Sequence, residues 1–129
     1  MQTFRKKERL YNDKEIKELI SKGENLNMWP FKIVWQQTYP ERIFPVKVLI
    51  TVPKKKFSKA TDRNRIKRLI KEVYRKNKNF LYDYLNQNHI NINLMIIFYG
   101  DKILSYQEFE LKIILILQRL IDVYEKRSG

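Results

Sequence analysis

The chain has 129 residues, of which 43% are hydrophobic, 3 are glycine and 4 are proline. This composition predicts a single domain over residues 1–129 and argues against a disordered chain or several linked domains. The 27 Lys and Arg residues outnumber the 14 Asp and Glu residues, and the formal net charge of +13 is typical of a protein that binds a polyanion. Cysteine is absent, which excludes disulfides, thiolate metal sites and cysteine nucleophiles.

The chain opens with a basic arm, residues 1–11, that leads into a short helix. The cations of the arm are Arg5, Lys6, Lys7 and Arg9. Asn12 or Asp13 can cap a helix over residues 14–22, because the side chain of either residue accepts hydrogen bonds from free backbone N–H groups. Gly23 is then expected to end the helix in the left-handed conformation.

Alternating side chains predict two β-strands in the middle of the chain. The first covers residues 31–36, and its more apolar side consists of Phe31, Ile33 and Trp35. The second covers residues 46–52 and is apolar on both sides, as expected of a strand that is covered on both faces. Because only a short loop around residues 39–42 separates them, the two strands are expected to form an antiparallel hairpin.

A basic loop over residues 54–60 precedes the strongest helical pattern, which starts near Thr61 or Asp62 and runs to about residue 77. A break is expected before a further segment over residues 80–85. In a helical projection one side carries an apolar stripe. This stripe consists of Ile66, Leu69, Ile70, Val73 and Tyr74. The opposite side carries Asn64, Lys67, Arg68, Lys71 and Arg75.

Most of the net charge is concentrated in this part of the sequence. Residues 54–78 contain twelve Lys or Arg and two acids, so +10 of the +13 lies in 25 residues. A solvated basic surface is the alternative to a binding face, but such a surface usually carries interspersed glutamates. Glu72 is the only acid between Arg63 and Lys78, so the row of cations predicts contact with a phosphate backbone.

The C-terminal part has a polar turn over residues 86–89, a strand over residues 92–99 and a long helix to about residue 126. Ser105 and Glu108 have the spacing of a capping box at the start of that helix. The order helix, strand, strand, helix, strand, helix indicates an α+β fold, with a small sheet packed against helices.

The sequence contains no recognisable catalytic or metal-binding constellation. His89 is its single histidine, which excludes a histidine pair for acid–base catalysis, and no glycine-rich phosphate loop is present. The N-terminus lacks an apolar signal core and no apolar run is long enough to span a membrane, so a cytoplasmic location is expected.

Three other functions are known for basic helices of this kind. A ribosomal-type structural RNA-binding protein has similar features and remains the main alternative. A DNA-binding regulator is disfavoured because no short helix precedes the basic one at helix-turn-helix spacing. A membrane-surface helix is disfavoured because the apolar side is narrow and has no Trp.

Residues 63–72, with the sequence RNRIKRLIKE, resemble the RNR signature of the bacterial ribonuclease P protein family. The similarity extends to Lys55-Lys56 and Ala60 before the signature, and more weakly to the arm and first helix. The order and length of the elements fit this family over nearly the whole chain. Ser58 stands where this family usually has glycine, and Ile16 where an aromatic residue is expected on the first helix.

The resemblance implies a four-stranded sheet packed with three helices, in the order α-β-β-(β)-α-β-α, and a left-handed crossover before the last strand. It also implies that the protein is the non-catalytic subunit of a ribonucleoprotein endoribonuclease. The RNA subunit would carry the chemistry and hold Mg²⁺. The partners would be ribonuclease P RNA and precursor tRNA, whose 5′ leader would bind in a cleft between the first helix and the sheet.

Two sets of binding residues follow from this resemblance. Those expected to contact the RNA are Lys55, Lys56, Lys59, Arg63, Asn64, Arg65, Lys67, Arg68, Lys71 and Arg75. Those expected to line the leader cleft are Arg9, Ile16, Phe31, Ile33 and Trp35. An aromatic strand side can stack on unpaired bases, but the same side chains also fit ordinary core packing, and alternation alone does not distinguish the two.

Overall fold

The computed structural model describes residues 6–39 and 43–128. In chain order, its elements are α1 (Asp13–Lys22), β1 (Glu24–Met28), β2 (Phe31–Thr38), β3 (Val46–Thr51), α2 (Ala60–Asn77), α3 (Asn79–Gln87), β4 (Asn91–Phe98) and α4 (Tyr106–Ser128). A 3₁₀ turn over Lys6–Glu8 precedes them. Arg5 of the predicted arm and residues 40–42 of the predicted loop lie outside the described residues.

The four strands form one mixed sheet in the order β1-β2-β4-β3. β2 pairs with β1 and with β4 in antiparallel register, whereas β3 pairs with β4 in parallel. The predicted hairpin between β2 and β3 is therefore wrong. β4 lies between them because it is apolar on both faces and almost wholly buried, which suits the centre of a sheet.

β1 was not recognised in the residue pattern, although the family resemblance implied a fourth strand. Its sequence, ENLNM, is rich in asparagine, which disfavours strands, and most of its side chains are exposed. Such a strand is stable at the edge of a sheet, where it is joined to β2 by the tight turn at Trp29-Pro30. The α+β class with a four-stranded sheet is confirmed, and the predicted break divides the middle helix into α2 and α3.

The predicted helix caps are mostly confirmed. The side chain of Asn12 accepts hydrogen bonds from the backbone N–H groups of Lys14 (3.0 Å) and Glu15 (3.2 Å) at the start of α1. At the start of α4, the N–H of Ser105 donates to Glu108 (3.2 Å), and the N–H of Glu108 donates to the Ser105 hydroxyl (3.1 Å). Each pair satisfies backbone donors that the first turn leaves free.

Gly23 has a different role from the predicted one. Its backbone is extended, with φ −69° and ψ 156°, so it does not end α1 in the left-handed conformation. A Cβ at this position would lie 2.4 Å from the carbonyl oxygen of Leu19 and 2.8 Å from Cγ1 of Val34. Glycine is required here because the last turn of α1 and the side chain of Val34 on β2 leave no room for a Cβ.

The helices are distributed unequally over the two faces of the sheet. One face packs against α2, α3 and α4 in a large core, where the ring of Phe98 lies 5.4 Å from that of Phe31 and 5.3 Å from that of Phe109. The other face packs against α1 and against Leu10 of the N-terminal segment, through a small cluster that includes Leu19 and Val34. Among the described residues, no helix has the length and hydrophobicity needed to cross a lipid bilayer.

Candidate nucleic-acid interface

α2 has one buried side and one cationic side, as the helical projection predicts. The buried residues of this helix are Ile66, Ile70, Val73 and Tyr74. The exposed polar residues of α2 and of its N-cap include Lys59, Asn64, Arg65 and Arg68. The predicted RNA-contacting residues Arg63, Lys67, Lys71 and Arg75 are partly exposed, while Lys55 and Lys56 in the preceding loop are exposed. The predicted set thus lies on α2, on its N-cap and on the loop that precedes them, and each of its members is exposed or partly exposed.

Three of these cations already have partners within the protein. The guanidinium of Arg63 donates to the carbonyl oxygens of Phe57 and Ser58, both at 2.8 Å. Arg75 is bound by Glu72 at 2.6 Å, and Lys56 pairs with Asp101 at 2.6 Å. The N-cap residue of α2, Lys59, makes no capping hydrogen bond with its side chain. Arg63 instead holds the basic loop against the first turn of the helix. Sequence reasoning did not identify this structural role.

The N-terminal arm adds charge to the same surface. Arg9 forms an isolated parallel bridge with Val48 and so extends the sheet beyond β3. The pKa of Lys71 lies below its usual value because the side chain is partly buried and because the cations of Arg9 and Lys67 are close. Cations that crowd one another in this way are stabilised when phosphate oxygens approach them.

The predicted leader cleft is wrong for its strand residues. Phe31, Ile33 and Trp35 are only 2%, 0% and 2% exposed, and they belong to the large core. They face the α2–α4 side of the sheet, so they cannot stack on bases while the protein is folded. The prediction failed because the alternation of aromatic and polar side chains shows only that one side of the strand avoids water. It does not show whether helices or nucleic acid cover that side.

The two remaining cleft residues lie elsewhere. Ile16 is partly buried between α1 and the opposite face of the sheet, where it packs against the cluster that contains Val34 and Met95. Arg9 is exposed at the β3 edge. The structure therefore does not bring the five predicted cleft residues together.

The α1 face of the sheet is closed at one end and open at the other. At the closed end, Glu15 lies 3.5 Å from Lys47, and the amide of Gln36 donates to Glu18 at 3.4 Å. At the other end, neighbouring strands place Lys32, Ile97 and Thr51 in one row, and all three are partly exposed. We call these three residues the open row. In the sequence, the alternation of side chains in β2 already places Lys32 on the side opposite to the aromatic residues.

The described residues do not fit a metal site of their own. Across residues 6–39 and 43–128, no three histidine or acidic side chains are grouped so that they could hold a metal ion. His89 is exposed in the turn before β4, with a φ of 54°, and its N–H donates to the carbonyl of Asn86 at 3.2 Å. That left-handed conformation matches the predicted role of His89 as a turn residue.

Comparison with known proteins identifies relatives over most of the chain. A family model described as Ribonuclease P matches residues 4–119. The ribonuclease P protein component of Porphyromonas gingivalis is 32% identical over 105 residues, which cover 81% of this chain and 77% of that protein. The ribonuclease P protein component of Petrotoga mobilis is 37% identical over 87 residues, which cover 65% of this chain and 70% of that protein.

Solved structures show the same fold at lower identity. The RNase P protein from Thermotoga maritima superposes with a TM-score of 0.69 at 20% identity, over 87% of this chain and 96% of that one. The RNase P protein from Staphylococcus aureus gives a TM-score of 0.66 at 18% identity, over 88% and 94% of the two chains. With the sequence matches, this agreement leads to one conclusion: the chain belongs to the ribonuclease P protein component family, whose members are RNA-binding proteins of tRNA processing.

Proposed function

We propose that this protein is the cytoplasmic protein subunit of ribonuclease P, which binds the catalytic RNA and the 5′ leader of precursor tRNA during 5′ maturation of tRNA. The RNA subunit carries the chemistry and holds the Mg²⁺, and the protein supplies binding surface. The observation that supports this most strongly is the cationic side of α2, which carries the family's signature residues.

The exposed cations of α2 suit the backbone of a folded RNA. Arg65 and Arg68 project from a helix that the core holds in place, and Lys59 is its N-cap, so little backbone freedom is lost when RNA binds. Each phosphate that they neutralise releases counterions, which makes the affinity strongly salt-dependent. Asn64 lies among them and can donate and accept at a ribose or a base edge.

The open row is the better candidate for the single-stranded leader. Thr51 ends β3, and the chain continues directly from it into the basic loop over residues 54–59. A strand of RNA that leaves the α2 surface along this loop therefore meets Lys32 and Ile97 next on the sheet. Lys32 supplies a cation for phosphate, and the aliphatic side chain of Ile97 supplies an apolar contact for a base.

The test is cleavage of precursor tRNA by a bacterial ribonuclease P RNA at low Mg²⁺, with and without this protein. We expect strong stimulation by the unchanged protein. The triple variant Lys59→Ala/Arg65→Ala/Arg68→Ala should lose most of this stimulation and lower the salt slope of RNA binding by about 2–3, since each lost phosphate contact contributes about 0.7–1. Arg63 is left unchanged because its substitution would also release the loop.

A matched control removes the same charge elsewhere. Lys17, Arg119 and Lys126 are exposed on α1 and α4, so their replacement by Ala lowers the net charge equally without touching α2. The control triple should keep the stimulation. Absence of stimulation by the unchanged protein, with general RNA binding intact, would favour the ribosomal-type structural RNA-binding alternative.

A further inference from the structure

A second surface feature lies apart from α2 and from the open row. A pocket of about 600 Å³ opens between the β1–β2 turn, the loop after β4 and the first turns of α4. Its apolar lining includes Trp29, Pro30, Leu104 and Leu111. Lys102 and Lys112 also line it, together with the two acids Asp101 and Glu108.

Two large apolar side chains of the lining are exposed to solvent. The side chain of Trp29 is 65% exposed and that of Leu111 is 67% exposed, whereas the other tryptophan, Trp35, is only 2% exposed. An indole left in water beside an apolar wall offers a flat platform on which a nucleobase can stack.

Two lysines and two acids line the pocket, and both acids already have partners within the protein. Asp101 is bound by Lys56 at 2.6 Å, and Glu108 accepts the N–H of Ser105 in the capping box. The pKa of Glu108 is lowered first by that backbone hydrogen bond, and the nearby cation of Lys102 contributes to the shift. Both acids are thus engaged within the protein, while Lys112 makes no ion pair among the described residues.

The pocket also lies at the same end of the sheet, along the strand direction, as the RNA-binding loop. Phe31 is paired with Phe98, and Thr51 with Ile97. The start of β2 and the C-terminal ends of β4 and β3 therefore lie at the same end of the sheet. The ion pair between Lys56 and Asp101 joins the basic loop to the pocket directly. The basic loop that leads into α2 is therefore in direct contact with the pocket that Trp29 lines.

We propose that this pocket holds an unpaired nucleotide of ribonuclease P RNA, with its base stacked on Trp29 and its phosphate next to Lys102 and Lys112. The inference rests on the proposed function, because it takes the partner to be that RNA. Ribonuclease P RNA is proposed as the occupant, rather than the leader, because the pocket lies on the face of the sheet that α4 covers. The open row, which is the candidate leader site, lies on the opposite face, under α1.

The experiment uses the fluorescence of the full-length protein, in which Trp29 is accessible to acrylamide and Trp35 is buried. Addition of a bacterial ribonuclease P RNA should strongly reduce the quenching of Trp29 by acrylamide. Trp29→Ala should weaken binding of this RNA about tenfold, and Trp29→Phe should restore most of the affinity, because a phenyl ring still stacks. The control is Leu115→Ala, one turn further along α4, which is 55% exposed and does not line the pocket.

Any one of the following results would overturn the inference. Trp29 would remain quenchable in a complex that binds RNA normally, or a leader oligonucleotide alone would protect it, or the protein without RNA would protect it in a dimer detected by sedimentation. Failure of the proposed function is distinguishable, because the unchanged protein would then neither bind ribonuclease P RNA nor stimulate cleavage. Normal binding that is lost in the α2 triple variant but unaffected by Trp29→Ala would overturn the pocket alone.

Discussion

The two faces of the sheet differ in how folding uses them. The face under α2, α3 and α4 is a dry aromatic core, whereas the face under α1 is covered only in part and ends in the open row. Neighbouring residues of β2 belong to opposite faces: Phe31 is 2% exposed, and Lys32 is partly exposed. The aromatic side of β2 looks best suited to stacking on bases, but it is buried in the core. The less apolar side of β2 remains accessible to a ligand.

The largest effect should come from the core face. Phe31→Ala removes a ring that contacts both Phe98 and Phe109, and we expect the free energy of unfolding to fall by about 4 kcal/mol. Urea unfolding followed by circular dichroism measures this. Tyr39→Ala is the control, because that side chain is 83% exposed and its loss should change the stability by less than about 0.5 kcal/mol.

A slightly smaller effect should come from the buried ion pair that ties the N-terminal segment to the junction of α2 and α3. Lys78 binds Glu8, and the two side chains are 3% and 0% exposed. The ammonium also lies 5.1 Å from the ring of Tyr82. Lys78→Met leaves the carboxylate buried without this cation, so the stability should fall by about 3 kcal/mol.

The double variant Glu8→Gln/Lys78→Met sharpens this test, because it removes both charges. It should recover most of the lost stability in the same denaturant experiment. An equal loss in the single and double variants would contradict a penalty from the uncompensated carboxylate. Unlike the cations of α2, this pair is out of reach of RNA, so the folded double variant should keep its RNA affinity.

The thinly covered face can be tested at Gly23. Gly23→Ala places a methyl group against the Leu19 carbonyl and Val34, so the backbone at the end of α1 and the side chain of Val34 must both shift. We expect a loss of about 1–3 kcal/mol in the free energy of unfolding. Asn25→Ala, on the exposed edge strand nearby, should have little effect on the same measurement.

The smallest effect on stability is expected at the open row. Lys32→Ala should change the free energy of unfolding by less than about 0.5 kcal/mol. It should nevertheless weaken binding of precursor tRNA a few-fold in the holoenzyme and leave binding of tRNA without a leader unchanged. Equal weakening with both substrates would place Lys32 outside the leader path, and Lys17→Ala serves as the control on the outer side of α1.

The local elements could be predicted because their signals lie within a few residues of one another. The capping box of Ser105 and Glu108, the cap at Asn12 and the break between α2 and α3 all depend on spacing along the chain. The two-sided character of α2 also follows from helical periodicity. The role of Arg63 as a brace was missed because its acceptors, the carbonyls of Phe57 and Ser58, exist only once the loop has folded.

The sequence by itself determined the class of the fold, the amphipathic basic helix and the family, since periodicity and a contiguous signature need no knowledge of distant contacts. Tertiary structure alone decided that β4 separates β2 from β3, that Phe31 faces inward and that Lys32 remains accessible. The physical reason is that alternation divides a strand into two sides, whereas only the packing of the helices determines which side is buried. The same packing leaves Trp29 exposed and Trp35 in the core.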